Sequence, residues 1–396
     1  MTATATNHRI PVPRDRENDH TREAAARRAE FVRERTGVSL EHVTNYSFDP
    51  AIATGNAEHF LGVAQVPLGL AGPLLVNGEH AKGEFYVPLA TAEGTLIASY
   101  NRGMRLLYEA GGVTTTVMDD RMQRAPAFIF HSAREARAFG EWLAEHFDDV
   151  KAAAGTTTRS GRLVDIEQYS ASRILFTRFN YTTGDAAGQN LTGKATQAAC
   201  QWIVEHYPGI EHYFLEAAFA TDKKSSQVNM LHTRGKRVVA EAVVPNELFD
   251  RVMRSSTDLM YRARQVSNLG GFMSGVNNNG AHSANGITAL FIATGQDAAN
   301  VAESSAGFAY AERRENGDYY YSITIPALIV ATYGGGTGLA TQRECLEMLG
   351  CYGAGKVNKF AEIVAATVLC GELSLGSAVV AEEWVKAHDL FGRNRP

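Results

Sequence analysis

The chain is poor in cysteine and carries no excess of positive charge. Its four cysteines (Cys200, Cys345, Cys351, Cys370) stand far apart in 396 residues. That spacing excludes a zinc finger or a disulfide-stapled scaffold and fits reduced core thiols in a cytoplasmic protein. Lys and Arg (38) do not outnumber Asp and Glu (43), and the formal net charge of −5 argues against nucleic-acid or membrane-surface binding. The N-terminus lacks a basic stretch followed by an apolar run, so no signal peptide is expected. No apolar run reads as long enough to cross a bilayer. Internal repeats and low-complexity tracts are also missing. What remains is an ordinary globular composition, 45% hydrophobic and 20% charged, long enough for two or three domains.

The most informative stretch is residues 281–305, A-H-S-A-N-G-I-T-A-L-F-I-A-T-G-Q-D-A-A-N-V-A-E-S-S. Its middle is almost wholly apolar and long enough for a buried helix. Yet it carries Asp297, with Asn285 and His282 upstream. A buried carboxylate needs a cation or strong donors. The run Asp222-Lys223-Lys224, lying between two apolar stretches, is the candidate partner. The other reading is that Asp297 only ends a core helix near the surface.

In chain order, residues 1–18 read as a loose tail and residues 21–35 as a surface helix stopped by Gly37. Residues 91–107 suggest a helix capped by Thr91, with Glu93 in its first turn, where the helix dipole favours a carboxylate. On it Asn101, Arg102 and Arg105 fall within about one turn, a plausible anion site. Residues 126–220 then show strand, helix, strand, strand, helix, strand, the ferredoxin-like order, inserted in a larger domain. Between its third strand and second helix lies T-G-D-A-A-G-Q-N (residues 183–190). Small residues before a helix N-terminus suit a phosphate, although this is not G-x-G-x-x-G. Ser172-Arg173, one strand earlier, could add donors to a further phosphate. A strand pair (227–232 and 237–243), a helix (246–264), a glycine- and asparagine-rich loop (268–280), a strand (319–326), a tight T-Y-G-G-G-T-G-L loop (332–339) and two helices complete the reading.

Four of these motifs, in one order, resemble a single family. A-T-A-E-G-T-L-I-A-S-Y-N-R-G, G-D-A-A-G-Q-N, A-T-D-K-K and A-H-S-A-N-G-I-T-A-L-F-I-A-T-G-Q-D-A-A look like the signatures of 3-hydroxy-3-methylglutaryl-CoA (HMG-CoA) reductases, class I-like and in the soluble catalytic form. The resemblance implies an α+β fold. A large substrate and CoA domain (43–125 and 221–375) would surround a central helix. The ferredoxin-like NADP-binding unit (126–220) would be inserted, after an N-terminal tail and helix (1–42) and before a C-terminal flap (376–396). It implies a homodimer with active sites at the subunit interface, and NADPH-dependent, four-electron reduction of a thioester through a hemithioacetal and an aldehyde to an alcohol.

The same resemblance assigns roles. Lys223 would stabilise the carbonyl oxyanion. Asp297 would orient it and keep it charged. Glu93, buried with a raised pKa, would donate a proton, and His388 would protonate the CoA thiolate. Ser172, Arg173, Asp185, Ala186, Ala187, Gly188, Gln189 and Asn190 match cofactor positions. Ser99, Asn101, Arg102, Arg105 and Arg254 match the CoA pocket, and Arg124, Asp222, Lys224 and Asn285 the acyl site. Two departures stand beside them: Glu216 where the family has a serine, and Ser267 where it usually has a lysine. They suggest a divergent member reducing another acyl-CoA or a carrier-protein thioester as the alternative to HMG-CoA. A non-catalytic protein on the same fold is a third reading, disfavoured by the complete catalytic set.

Overall fold

The structure, a computed structural model, describes residues 10–382 and residue 389. Helix α1 (Arg22–Thr36) starts where the Thr21 hydroxyl accepts the Ala24 N–H and stops at left-handed Gly37. The chain continues through β1 (Leu68–Gly78), β2 (Lys82–Ala90), α2 (Leu96–Glu109) and β3 (Val113–Arg124). Next come β4 (Ala127–Ile129), α3 (Ala133–Glu145), α4 (Phe147–Gly155), β5 (Arg162–Ala171), β6 (Ile174–Thr182), α5 (Gln189–His206) and β7 (His212–Phe214). After α6 (Gln227–Leu231) and β8 (Gly235–Val244) come α7 (Asn246–Met253), α8 (Thr257–Ser274), α9 (Ser283–Thr294) and α10 (Val301–Ser304). The chain then forms β9 (Phe308–Arg313), β10 (Tyr319–Leu328), α11 (Ala340–Met348) and α12 (Val357–Val380).

Strands β2, β1, β3, β8, β10 and β9 are neighbours in that order, antiparallel except for a short parallel β1–β3 pairing. Strands β7, β4, β6 and β5 form a second antiparallel group, the 4-1-3-2 order of a ferredoxin-like sheet. The far end of β3 also pairs with β6, from Met122 to Arg124, so one strand path links the two groups. Each group has its own apolar core. The first gathers side chains from β1, β2, β8, β10, α2, α9 and α12; the second gathers Phe128, Phe130, Phe139, Leu175, Phe179 and Ile203 with their neighbours.

Helix α12 is apolar on every side and buried over most of its length, and α9 packs near it. By length and composition α12 could cross a membrane. That corrects the reading that no apolar run is long enough, and its burial marks it as a core helix. Its two buried acids act on other elements. Glu362 accepts the N–H groups of Glu79, His80 and Ala81 in the β1–β2 turn at 2.6–3.1 Å. Glu372 accepts those of Ala281, His282 and Ser283 at the start of α9, at 2.6–2.9 Å.

Several expected elements differ. Residues 227–231 are helical, not a strand, because the Ser226 hydroxyl caps that turn through the Asn229 N–H. The helix expected over 246–264 is two helices, broken at Arg254 with φ 53°. Residues 268–274, expected as loop, continue α8 to left-handed Gly275; tertiary context overrides the weak penalty of two glycines. The last inserted strand is only three residues long. Finally, α2 begins at Leu96 rather than near Thr91.

Candidate active site

Helix α9 ends at left-handed Gly295, and Asp297 opens the next turn by accepting the Ala299 N–H. Its other oxygen lies 2.8 Å from the Lys223 ammonium. Both side chains are about two-fifths exposed, 44% and 41%. The core helix thus ends before Asp297, which opens the following turn near the surface with Lys223 as its partner. The Asp297 hydrogen bond raises the Lys223 pKa, with partial burial opposing it.

The loop presenting Lys223 is conformationally costly. Ala218, Thr221 and Lys223 all have positive φ, 63°, 59° and 57°, a region non-glycine residues enter only when their surroundings force it. The Lys223 N–H donates to Glu303 at 2.9 Å. Glu303 is fully buried on α10 and also accepts from Arg234 at 2.8 Å and Asn229 at 3.3 Å. Arg234, equally buried, reaches Asp222 at 2.8 Å. Burial pushes the Glu303 carboxyl up to about 7, while Arg234 and the Lys223 N–H pull it down. Neither Arg234 nor Glu303 is among the residues the sequence singled out. The signal was there: a lone acid in a small-residue stretch, the same anomaly that marks Asp297.

Beside this pair lies a cleft of about 710 Å³, lined by residues 186–191, Asp297, Asn300, Tyr333 and residues 334–337 among others. Gly188 is the N-cap of α5 at φ 86°, and no side chain caps the first N–H groups of that helix. Across the cleft, Gly295 and Gly336 approach so closely that a Cβ on Gly295 would sit 2.2 Å from the Gly336 carbonyl oxygen. Ala186, Ala187, Gly188, Gln189 and Asn190 line the cleft as expected. Gln189 also donates to Asp222 and Asn300, at 2.9 and 3.0 Å, tying the glycine loop to the Lys223 loop.

Two of the residues assigned to the cofactor make other contacts here. Asp185 faces α12, where its carboxylate accepts the Gly355, Lys356 and Val357 N–H groups at 2.8–3.1 Å. It is a helix cap. Ser172-Arg173 occupy the β5–β6 turn, at the opposite end of nine-residue β6 from the glycine loop, a separation of roughly 30 Å. The Arg173 guanidinium is bound to Glu211 and the Phe130 carbonyl. The pairing of Arg162 with Thr182 instead brings the segment before β5 beside the glycine loop. There Thr158 accepts the Gly161 N–H at 2.9 Å, Gly161 abuts Leu191 of α5, and Arg159 is exposed.

Glu93 is exposed in the loop before α2, not in a first helical turn and not buried. The expected burial is therefore absent within one chain. Its N–H donates to Thr91 at 2.9 Å, and its carboxylate receives Asn285 of α9 at 3.4 Å. Asn285 and Asp297 sit at opposite ends of α9, so about 13 Å of helix separates the Glu93 group from the Lys223 group. Asn285 is not among the residues lining the cleft beside Asp297. His388 lies outside the described residues.

The expected anion cluster on α2 is dispersed. Asn101 accepts the Gly72 N–H at 3.0 Å. Arg102 donates to Ser374 and Ser377 of α12, and Ser99 also bonds Ser374. Arg105 pairs with Glu109 at 2.9 Å, which Arg251 shares at 2.6 Å. Arg254 caps α7 one turn beyond Arg251. Nearer the cleft, Arg124 donates to the Gln189 carbonyl at 3.0 Å and pairs with Glu216 at 3.2 Å. The Lys224 ammonium reaches the Asp222 carbonyl at 2.9 Å. Ser267 is exposed on α8, not in the loop.

Comparison with known proteins agrees with these motifs. The family described as hydroxymethylglutaryl-coenzyme A reductase matches residues 24–393. The 3-hydroxy-3-methylglutaryl-coenzyme A reductase of Pyrococcus abyssi is 43% identical over 95% of this chain and 94% of its own length. That of Methanothermobacter thermautotrophicus is 44% identical over 94% of each. Among solved structures, the class II enzyme of Streptococcus pneumoniae bound to NADPH superposes with a TM-score of 0.68 at 20% identity, covering 90% of this chain and 97% of that one. At that identity the likeness carries the fold and not the class.

Proposed function

The chain belongs to the hydroxymethylglutaryl-coenzyme A reductase family, and from that premise we propose that it reduces HMG-CoA to mevalonate and free CoA with two equivalents of NADPH. The observation that carries this reading is the Lys223–Asp297 pair at the edge of the cleft. NADPH supplies the hydride when bound. The α5 N-terminus, residues 186–190 and the glycine loop 334–337 would hold it. The residues fit: the α5 N-terminus, which no side chain caps, lines one side of the cleft, and two glycines bring its walls together. We assign Arg159, not Arg173, as the cation for a further phosphate. Arg159→Ala is expected to raise KM for NADPH about tenfold with kcat little changed, whereas Arg173→Ala leaves both within twofold, in initial-rate assays.

A fixed ammonium at Lys223 stabilises the negative charge that hydride attack puts on the carbonyl oxygen. Asp297 holds that ammonium in place. The proton donor must come within about 3.2 Å of the same oxygen, and Glu93 of one chain is at the wrong end of α9. We therefore read the functional unit as a homodimer in which Glu93 and Lys223 of one site come from different copies. Leu269, Phe272 and Met273 on α8 support it: they are exposed in the single chain, Phe272 by 85%. His388 would protonate the thiolate. The buried thiols and the buried α12 support a cytoplasmic location.

The Arg124–Glu216 pair favours a second reading, a divergent acyl-CoA or carrier-protein thioester whose acyl group lacks a carboxylate. Glu216 already occupies the guanidinium that a substrate carboxylate would use, and it would repel that carboxylate. NADPH oxidation with HMG-CoA and with a neutral acyl-CoA decides between them. Glu216→Ser is expected to raise kcat/KM for HMG-CoA about tenfold and leave the neutral substrate unchanged. Efficient wild-type turnover of HMG-CoA, indifferent to that substitution, would remove the second reading. No reduction of either thioester by folded, NADPH-binding protein would remove the first.

A further inference from the structure

The segment from Asp297 to Glu303 touches Lys223 twice. Asp297, at its start, binds the ammonium at 2.8 Å. Glu303, six residues on, binds the backbone N–H of the same lysine at 2.9 Å. The two grips differ in kind. Asp297 is about two-fifths exposed, whereas the Glu303 side chain is wholly inaccessible. Asn229, which donates to Glu303, also receives the Thr221 hydroxyl at 2.7 Å. Arg234 extends the network to Asp222 at 2.8 Å. Five contacts, branching from Glu303, therefore fasten a loop whose Thr221 and Lys223 stand in the left-handed region. Without an acceptor for the Lys223 N–H, the direct hold on that residue's backbone is lost, and only the bonds to Thr221 and Asp222 remain against the cost of the conformation.

We propose that Glu303 is a positioning residue for the reduction: by holding the Lys223 amide it keeps the loop in its left-handed form and so aims the ammonium at Asp297 and the cleft. The kinetic part of this inference rests on the reductase reading above; the structural part does not. In a preorganised site the stabilising group is placed before the reaction begins, and a shift of about 1 Å can cost on the order of 100-fold. Glu303 is not among the residues lining the cleft, so it acts through the loop that carries Lys223.

The test uses Glu303→Gln in the full-length protein, with two readouts. In initial-rate assays kcat is expected to fall about 100-fold, while KM for NADPH and for the thioester stays within threefold. Independently of turnover, the lysines are reductively methylated with 13C-formaldehyde and the Lys223 resonance, identified by its loss in Lys223→Arg, is titrated by NMR. In the wild type it titrates above an ordinary lysine; in Glu303→Gln it returns toward the ordinary value as the contact with Asp297 is lost. An unchanged titration, or a kcat within twofold of wild type, overturns the proposal. If the wild type reduces no thioester, the titration still decides the positioning role while the reductase reading fails. Should Glu303→Gln leave Arg234 unpaired and the protein unfolded, the double variant Arg234→Met, Glu303→Met removes both buried charges and is expected to give the same two changes.

Discussion

Lys223→Ala is expected to lower kcat about a thousandfold, with KM for NADPH and thioester changed little. Removing one neutral hydrogen-bond donor from an oxyanion site costs about 10²- to 10³-fold, and an ammonium held by a carboxylate at 2.8 Å is the stronger group. The loss falls on kcat because the charge appears only as hydride reaches the carbonyl, so ground-state binding does not feel it. Asp297→Asn is a useful contrast. With the carboxylate in place the lysine pKa lies above its ordinary value of 10.5. A neutral amide removes that rise, yet the lysine stays protonated near pH 7. Asp297→Asn should therefore show a smaller fall, of about 30-fold, caused by lost orientation. By the same sign argument Lys223 gives no basic limb to the rate profile below about pH 10, since the raised pKa keeps the charged form through that range. Initial rates of NADPH oxidation, with circular dichroism to verify folding, check all three statements. A Lys223→Ala enzyme within tenfold of wild type would remove the lysine from the chemistry.

The parts of this site that the sequence made legible are those where composition itself was anomalous. Asp297 stood out because an acid interrupts an apolar stretch, and Lys223 because three charges sit between apolar runs. The ferredoxin-like order was legible through its alternation of strand and helix, even with an extra helix, α4, in the first crossover. What was not legible is pairing across the fold. Arg102 looked like an anion ligand, but only the packed position of α12 shows that Ser374 and Ser377 take its guanidinium. Asp185 lies inside a phosphate-like loop in sequence but points to the start of α12 in space. Ser172-Arg173 precede the glycine loop by one strand, and a strand carries its two ends to opposite edges of a sheet. Sequence distance gives no warning of that. The separation of Glu93 from Lys223 has the same origin: α9 is a rigid rod, and its ends cannot meet in one chain.

That rod is itself held by one side chain, and Glu372→Ala is expected to cost about 4 kcal/mol of stability. Helix α9 has no side-chain cap of its own; both Glu372 oxygens accept its leading N–H groups, at 2.6, 2.8 and 2.9 Å. Alanine leaves a void and orphans the donors of buried His282 and Ser283, while water can reach exposed Ala281; each orphaned buried group costs about 1–3 kcal/mol. Tyr100 lies against Gly286 of α9 and Gly371 of α12, where a Cβ would come within 2.4 Å of its hydroxyl oxygen and 2.5 Å of its ring, and that hydroxyl donates to the His282 carbonyl at 2.6 Å. Glu362 provides the control. It too accepts three N–H groups, but Glu79 and His80 are exposed, so water replaces the lost acceptor and Glu362→Ala should cost about half as much. Urea unfolding followed by circular dichroism measures both. Equal losses would mean that the count of hydrogen bonds, rather than their burial, governs the anchoring of α9. A smaller loss at Glu372 would mean that α9 is held mainly by its apolar faces, and that its carboxylate cap can be removed without disturbing Asp297 at the other end.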